Sequence, residues 1–288
     1  MPSTKDIRTR IKSVNSIQKV TKSMKLISII KLKHAQKAFQ SSIPYVSELA
    51  DLLSKAAKGI EHEELLNKPK LKAFLTDRKE NLNPCIIILS SDRGLCGPYN
   101  TQILKLAEAK VKDYLSKGIQ PKLILSGNKA ILFAKKYLSN CEVICKFNNL
   151  SNLPQFNDAD NIFQVIEKGL MKDEISSVEV VYSRFVSMLK SVPESITLAP
   201  FNLESFSCIE DEEITQERYE DISFEPNQVD LLESLVPMYC KNQIFQCLNS
   251  GKTSELANRV NAMTSATDNA KNLISDLTLT YNKFRQAS

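Results

Sequence analysis

The sequence predicts two long helices, one at each end of the chain, which pair as an antiparallel coiled coil with an α/β domain inserted between them. Three observations predict this architecture. Only 7 of the 288 residues are glycine, well below the usual share of roughly 7%, which favours long helices over a turn-rich sheet. Apolar residues recur every three or four positions at both ends of the chain. Between about residues 80 and 200, short apolar runs alternate with segments of helical pattern.

The N-terminal segment carries the first of the two repeating patterns. Its apolar residues are spaced by about 3.5 positions on average, which is typical of a coiled-coil seam. A helix over about 4–58 is expected, on the order of 80 Å long and bent at Pro44. The predicted seam consists of Ile7, Ile11, Val14, Ile17, Val20, Met24, Ile27, Ala35 and Ala38, then Val46, Leu49, Leu52, Leu53 and Ala56.

The C-terminal segment carries the second pattern. A helix over about 253–287 is expected, extended upstream through 229–248 with a kink near Pro237 and a weak point at Gly251. Neither terminal seam is wide enough to form a globular core, so each needs a helical partner, and the other end of the chain is the nearest one available. The predicted C-terminal seam consists of Leu256, Val260, Met263, Ala266 or Thr267, Ala270, Leu273, Leu277, Tyr281 and Phe284.

The central region alternates between strand and helix patterns. A continuously apolar run, Cys85–Ser90, predicts a strand buried on both faces. Further strands are predicted at 123–126, 141–145 and 178–190, with 196–201 available to pair with the last, and helices at 100–117, 129–138 and 158–171. This alternation indicates right-handed βαβ crossovers and a mostly parallel, Rossmann-like sheet. The predicted divisions are 1–78 (coiled-coil helix and connection), 79–203 (α/β domain), 204–226 (acidic solvated excursion) and 227–288 (coiled-coil helix).

Composition excludes several classes of site. The sequence has two histidines, His34 and His62, too few for a multi-histidine zinc site and a poor basis for a Ser-His-Asp triad. Its seven cysteines form no CxxC pair, which favours free thiols in a reducing compartment. The longest apolar run, Cys85–Leu89, is far shorter than a membrane span. Composition therefore argues against a histidine-rich metal site, a histidine-dependent catalytic triad, a disulfide framework and a membrane span.

Charge is distributed unevenly along the chain. Residues 1–40 hold ten basic side chains and one acid, a charge of +9, whereas the whole chain carries +5. This end is expected to face something negative. One alternative is a basic coiled-coil scaffold for nucleic acid, although no aromatic residue for base stacking precedes Phe39. A presequence is not expected, because the apolar repeat continues past residue 50 without a cleavage-like break.

The loop Ser90-Ser-Asp-Arg-Gly-Leu-Cys-Gly97 lies where α/β folds bind phosphates, between the first strand and a helix. Its glycine spacing is not G-x-G-x-x-G, and no Lys-Ser or Lys-Thr follows. The favoured interpretation is a structural turn built by Asp92, Arg93, Gly94 and Gly97. An enzyme that binds a phosphate-bearing ligand in this loop is the alternative.

Three blocks of sequence resemble the gamma subunit of F-type (F1Fo) ATP synthase. The first runs from Ile7 to Met24 (Ile-Arg-x-Arg-Ile-x-Ser-Val-x-x-x-Gln-Lys-Val-Thr-Lys-Ser-Met), the second is the 90–97 loop, and the third runs from Ser254 (Ser-Glu-Leu-Ala-Asn-Arg-Val-Asn-Ala-Met) to Ala287. They occur at the beginning, middle and end of the chain, in the order found in the family.

The resemblance implies a non-catalytic rotor subunit, the central stalk of a rotary motor. Its coiled coil would stand inside a hexamer of alternating alpha and beta subunits. Its α/β part would rest on the ring of c subunits, with the epsilon subunit as a further partner. The family implies one copy per complex, no cofactor, no nucleic acid, and a peripheral position on the energy-transducing membrane, at the cytoplasmic face of a bacterial inner membrane or the matrix side of a mitochondrial one. The residues that match family contacts with beta or the stator are Lys22, Met24, Lys25, Arg259, Arg285 and Gln286.

Overall fold

The computed structural model describes residues 4–58, 60, 62–76, 78, 83–148, 153–201 and 227–287. Two long helices dominate it: α1 (Thr4–Ala57) and α7 (Gln228–Ala287). At 1.5 Å per residue they are about 80 and 90 Å long. Thr267 donates a hydrogen bond to Thr21, and Leu32 clusters with Leu256, so the helices run antiparallel. The predicted pairing of the two chain ends is confirmed.

Both helices pass through their predicted weak points without ending. Pro44 lies inside α1 and Pro237 inside α7. Gly251 lies in mid-helix and is buried, and a Cβ there would lie 3.3 Å from the hydroxyl of Tyr99. The prediction of a weak point at Gly251 was therefore wrong, because this glycine admits a neighbouring side chain to close approach.

The seam of α1 keeps a strict heptad, with steps that alternate between four and three residues. Part of the predicted seam is wrong: Ile17, Val20 and Ile27 are 55%, 58% and 55% exposed. The seam is polar between Val14 and Leu32. A prediction that follows only the apolar residues therefore selects an exposed face of the helix there. The buried or half-buried seam residues are Ile7, Ile11, Val14, Gln18, Thr21, Lys25, Ser28, Leu32, Ala35, Phe39, Ser42, Val46, Leu49, Leu53 and Ala56.

The C-terminal seam follows the prediction with one shift. Val260, Met263 and Ala270 are buried, and Leu277, Tyr281 and Phe284 are half-buried. Leu273 is 39% exposed, and Ile274 takes its place at the next heptad position.

The central domain is a five-stranded sheet in the order β3-β2-β1-β4-β5. Strands β1 to β4 pair in parallel, and β5 is antiparallel to β4, so the predicted Rossmann-like α/β class is confirmed. The elements of this region are α2 (His62–Leu66), α3 (Pro69–Leu75), β1 (Pro84–Leu89), α4 (Tyr99–Ser116), β2 (Lys122–Ser126), α5 (Asn128–Tyr137), β3 (Val143–Phe147), α6 (Phe156–Met171), β4 (Ser177–Phe185) and β5 (Ser191–Ala199).

Strand β1 is buried on both faces, as its apolar run predicts. Ile86 and Ile88 pack with the face that α4 and α5 cover. Ile87 packs on the other face with Leu53 of α1 and Leu232 of α7. The ends of the two long helices nearest the sheet therefore belong to the core of the α/β domain. The rest of the antiparallel pair of α1 and α7, which we call the rod, projects from that core.

The predicted long strand over 178–190 is wrong in its second half. The backbone turns at 186–190, where Val186 N–H donates to the Lys190 carbonyl at 3.2 Å, and β5 then returns beside β4. Val186, Met188 and Leu189 gave the turn an apolar, strand-like pattern, yet all three are exposed. The predicted acidic excursion at 204–226 lies outside the described residues. None of the described helices has an apolar stretch sufficient to cross a membrane.

Candidate functional site

The outer surface of α1 carries an apolar stripe that stays exposed among the residues that the structure describes. Its members, each more than half exposed, are Ile17, Val20, Leu26, Ile27 and Ile30. Most of the basic side chains of the first 40 residues, Lys22 among them, are exposed on the same helix. Several large apolar side chains exposed along one helix are typical of an interaction site. We name these five residues the α1 stripe.

The predicted contact residues of α1 occupy different parts of the helix surface. Lys22 is exposed, and Met24 is half-buried. Lys25 lies at a heptad position between Thr21 and Ser28 and is half-buried in the seam, so only part of its side chain is available to a partner. The structure brings Lys22 and Met24 close to the α1 stripe.

The predicted contact residues of α7 lie far apart along that helix. Arg285 and Gln286 are exposed in its last turn. The side chain of Arg259 is only 11% exposed. Its Nη1 lies 2.7 Å from Glu255 Oε1, and its Nη2 donates to the Gly94 carbonyl at 3.2 Å. Arg259 therefore binds within the chain, at the junction between the shaft and the α/β domain.

The 90–97 loop is a closely hydrogen-bonded turn. The Ser91 hydroxyl donates to the Arg93 carbonyl at 2.7 Å, and Asn100 Oδ1 accepts from Ser91 N–H at 3.1 Å. Leu95 and Gly97 have positive φ angles of 62° and 56°, a region that glycine adopts at little cost and leucine does not. The geometry supports the interpretation of Asp92, Arg93, Gly94 and Gly97 as a structural turn.

The start of α5, a second helix N-terminus that lies against the 90–97 loop, has its backbone donors occupied. Asp92 Oδ1 accepts the N–H of Asn128 at 3.0 Å, and Ser90 Oγ accepts the N–H of Ala130 at 2.8 Å. A helix N-terminus binds an anion through these N–H groups. Since the chain's own carboxylate and hydroxyl already satisfy them, this end of α5 offers a phosphate little. Burial also raises the pKa of the Cys96 thiol, which makes it a weak nucleophile.

Helix α7 fills the crevice where a doubly wound sheet binds its ligand. The strand order reverses between β1 and β4, and ligands of such sheets bind beyond the carboxyl ends of the strands at that point. Here Leu248, Lys252 and Glu255 of α7 lie against the loop that follows β1. The remaining cavity is about 40 Å³, whereas small-molecule sites measure roughly 300–1,000 Å³. Helix α7 of the rod therefore occupies the position where such sheets usually have an active site.

Sequence reasoning missed two residues of this junction, Lys252 and Glu255. Glu255 is 4% exposed and is held between Lys252 and Arg259. The i, i+3 and i, i+4 spacings of these charges were visible, but their burial depends on a loop about 160 residues earlier in the chain. Within the described residues, no group of three or more histidine, cysteine or acidic side chains is placed to hold a metal ion.

Known proteins resemble this chain over almost its whole length. A family model described as ATP synthase matches residues 3–288. The ATP synthase gamma chain of Gloeothece citriformis is 32% identical over 307 residues, which span 100% of this chain and 95% of that one. The ATP synthase gamma chain of a Picosynechococcus species is 34% identical over 309 residues, with the same two coverages.

Solved structures with a similar fold come from mitochondrial ATP synthases. The rotor of the Euglena gracilis enzyme has a TM-score of 0.66 at 16% identity and covers 99% of this chain and 98% of its own. The central stalk and c-ring structure of the Tetrahymena thermophila enzyme contains a chain with a TM-score of 0.58 at 19% identity, covering 86% and 99%. These likenesses concern the fold: a rod of two terminal helices on a small α/β domain.

Proposed function

Because the chain belongs to the ATP synthase gamma-chain family, we propose that it is the central-stalk rotor that couples proton-driven rotation of the c-ring to the conformational cycle of the catalytic beta subunits. The chain is a non-catalytic subunit of that complex. In this proposal the rod of α1 and α7 stands inside a hexamer of alternating alpha and beta subunits. The α/β domain rests on the c-ring beside the epsilon subunit, and each complex holds one copy.

The observation that carries this proposal is the α1 stripe, which none of the described residues of the chain covers. A single rod at the centre of a threefold ring presents a different face to each of three identical sites. Sites that differ only in this contact are biased towards different conformations, which is a population shift by differential binding. The exposed lysines around the stripe attract an acidic collar without forming a dry, locked interface.

The same proposal assigns contacts with beta or the stator to six side chains. Lys22 and Met24 lie beside the α1 stripe and would meet one beta subunit at a time, together with the part of the Lys25 side chain that the seam leaves exposed. Arg285 and Gln286 would act near the end of the rod. Arg259 is the weakest of the six as a direct contact, since its guanidinium binds Glu255 and the Gly94 carbonyl.

Assembly with the hexamer tests the proposal. The chain should co-purify with alpha and beta subunits and hydrolyse no ATP by itself. Ile27→Asp places a negative charge in the stripe and should weaken hexamer binding about tenfold or more, because it removes apolar contact and is repelled by the acidic collar. Ile43→Asp, on the same helix and at a site 42% exposed below the stripe, is the matched control and should bind normally.

Two outcomes would contradict the proposal. One is robust ATP hydrolysis by the isolated chain, which would favour the enzyme alternative. The other is equal hexamer binding by the two aspartate variants, which would show that the stripe is not the surface that the hexamer covers.

Family membership places the chain in a membrane-associated complex. We propose a peripheral position on the cytoplasmic face of a bacterial inner membrane, with the matrix side of a mitochondrial inner membrane as the alternative. The cyanobacterial gamma chains that resemble it support the first. In inside-out bacterial vesicles, a protease added to the outside should then digest the chain; protection from the protease would contradict this placement.

A further inference from the structure

Residues 250–262 of α7 are held by the α/β domain from two sides. On the first side, the β4–β5 hairpin bonds to one face of the helix. Ser250 Oγ accepts the N–H of Phe185 at 2.9 Å, and Asn261 Nδ2 donates to the Met188 carbonyl at 2.8 Å. The helix positions that bond to this hairpin are Ser250, Ser254, Asn258 and Asn261.

On the second side, the 90–97 loop meets a buried set of charges. Glu255 Oε1 lies 2.7 Å from Arg259 Nη1, and Glu255 Oε2 lies 3.0 Å from Lys252 Nζ. The side chain of Glu255 is 6% exposed and that of Arg259 is 11% exposed. Arg259 also donates to the Gly94 carbonyl, so one guanidinium joins the helix to the loop. A Cβ on Gly97 would lie 3.8 Å from the Cβ of Ala262.

These contacts oppose rotation of α7 about its own axis. Any such rotation relative to the sheet would separate Arg259 from the Gly94 carbonyl and would move the hairpin-bonded face away from β4. Glu255 lies on the same helix and turns with Arg259, so its ion pair holds the guanidinium in place while the bond from Arg259 to the Gly94 carbonyl is the one that rotation breaks. Leaving this buried donor and acceptor without partners is unfavourable. Farther along the rod the seam is partly polar, and the hydrogen bond between Thr21 and Thr267 is exchangeable with water at little cost.

We propose that Glu255 and Arg259, with the 94–97 loop, form a torsional clamp that fixes the rotational setting of α7 on the α/β domain. Arg259 is thereby a positioning residue, which acts inside the chain. The proposal rests on the rotor function, since only a rotor must carry torque from the domain to the shaft. In a working complex the clamp transmits that torque without slip, and the contact stays closed throughout the cycle.

The first test compares Arg259→Met with Arg184→Met in the reconstituted holoenzyme. Arg184 lies on β4 and pairs with Glu194, but that pair is half-exposed, so it is a matched control from the same domain. The measurement is the ratio of ATP-driven proton pumping to ATP hydrolysis per assembled complex. Arg259→Met should lower this ratio about threefold or more because the clamp slips. Arg259→Lys, which retains the charge with fewer donors, should lower it less, and Arg184→Met should match the wild type.

The second test replaces the clamp by a covalent bond. The 3.8 Å separation between the Gly97 and Ala262 Cβ positions is the usual distance for a disulfide. Gly97→Cys with Ala262→Cys, in a Cys96→Ser background that removes the adjacent thiol, should therefore form one on oxidation. Under oxidising conditions this staple should restore the pumping ratio of Arg259→Met, and a reductant should remove the gain.

Three results would overturn the clamp. One is a wild-type pumping ratio in assembled Arg259→Met complexes. Another is an oxidised staple that leaves the ratio low. The third is reversible arrest of a stapled complex that retains Arg259, and it can be measured even if Arg259→Met fails to assemble. Such a complex should hydrolyse ATP at the rate of the unstapled complex, and arrest on oxidation would show that the contact opens during the cycle. If the wild-type chain does not bind the hexamer, the rotor function itself fails, and that outcome is distinct from these three.

Discussion

A pair of leucine truncations on α7 tests the register of the rod. Leu256 is 2% exposed and packs with Leu32 and Ala35 of α1. Leu273, on the same helix, is 39% exposed, although apolar spacing alone assigns both to the seam. Leu256→Ala removes methyl groups from a closed contact and leaves a cavity, so it should lower the free energy of unfolding by about 3 kcal/mol. Leu273→Ala leaves no cavity and should cost below about 1 kcal/mol.

These free energies convert into separable melting temperatures. The entropy of unfolding near the midpoint is about 2.1 cal/mol/K per residue, or about 0.6 kcal/mol/K for a chain of 288 residues. The expected shifts in Tm are therefore about 5 °C for Leu256→Ala and below about 2 °C for Leu273→Ala. Circular dichroism at the helix band, on the purified full-length chain, measures both. Equal shifts, or a larger shift for Leu273→Ala, would refute the strict heptad and restore the register that apolar spacing suggests.

Three further perturbations have expected outcomes. Gly127→Ala, at φ +91°, would press a Cβ into the backbone oxygen of Ser90 and should lower the free energy of unfolding by about 3 kcal/mol or more. Gly118→Ala, at φ +75° with nothing within 4 Å, should lower it by only about 1–2 kcal/mol; a denaturant titration that ranks the two equally would contradict this. A hydrogen bond from Lys241 lowers the pKa of Asp160, so their pair stabilises the fold above about pH 4, the ordinary pKa of an aspartate. That stability is lost as the pH falls through the lowered pKa, and the difference in Tm between wild type and Asp160→Asn should therefore shrink steadily below pH 4. Among the cysteines that the structure describes, Cys145 is the one that is not buried, and it should react first with a thiol reagent in a mass-spectrometric time course; faster labelling of a buried one would show that the core opens.

The sequence predicts the elements of this fold better than it predicts which faces they bury. The run at 85–89 is apolar at every position, so both faces of β1 had to be covered, and they are. Between Val14 and Leu32 the large apolar side chains of α1, Ile17 and Val20 among them, are exposed, whereas the heptad positions that face α7 are polar. In the proposed rotor a partner subunit covers the exposed side chains. Apolar periodicity identifies a helix face that packs against something. It does not identify whether the same chain or a partner packs there.

The junction between α7 and the α/β domain was the least predictable part of the site. Because glycine lowers helix propensity, the local sequence predicts a weak point at Gly251. The structure shows that Tyr99 approaches the helix there, a contact between residues about 150 positions apart. Arg259 and Gly94 are also far apart in the sequence, so the hydrogen bond between them could not be predicted from local patterns either. Local patterns carry no information on such contacts, and the pairing of a buried charge is set by the complete fold.

The pairing of the two chain ends determines the order in which the molecule can fold. Thr21 and Thr267 are 246 residues apart, and closing a flexible loop of that length costs about 5 kcal/mol in chain entropy. During synthesis α1 emerges first and has no partner until the last residues leave the ribosome. Folding of the α/β domain shortens the loop, because Leu53 and Leu232 are brought together in its core. We therefore expect α1 and α7 to pair progressively from that core outwards. The tip of the rod is then both the last part to fold and the first to fray.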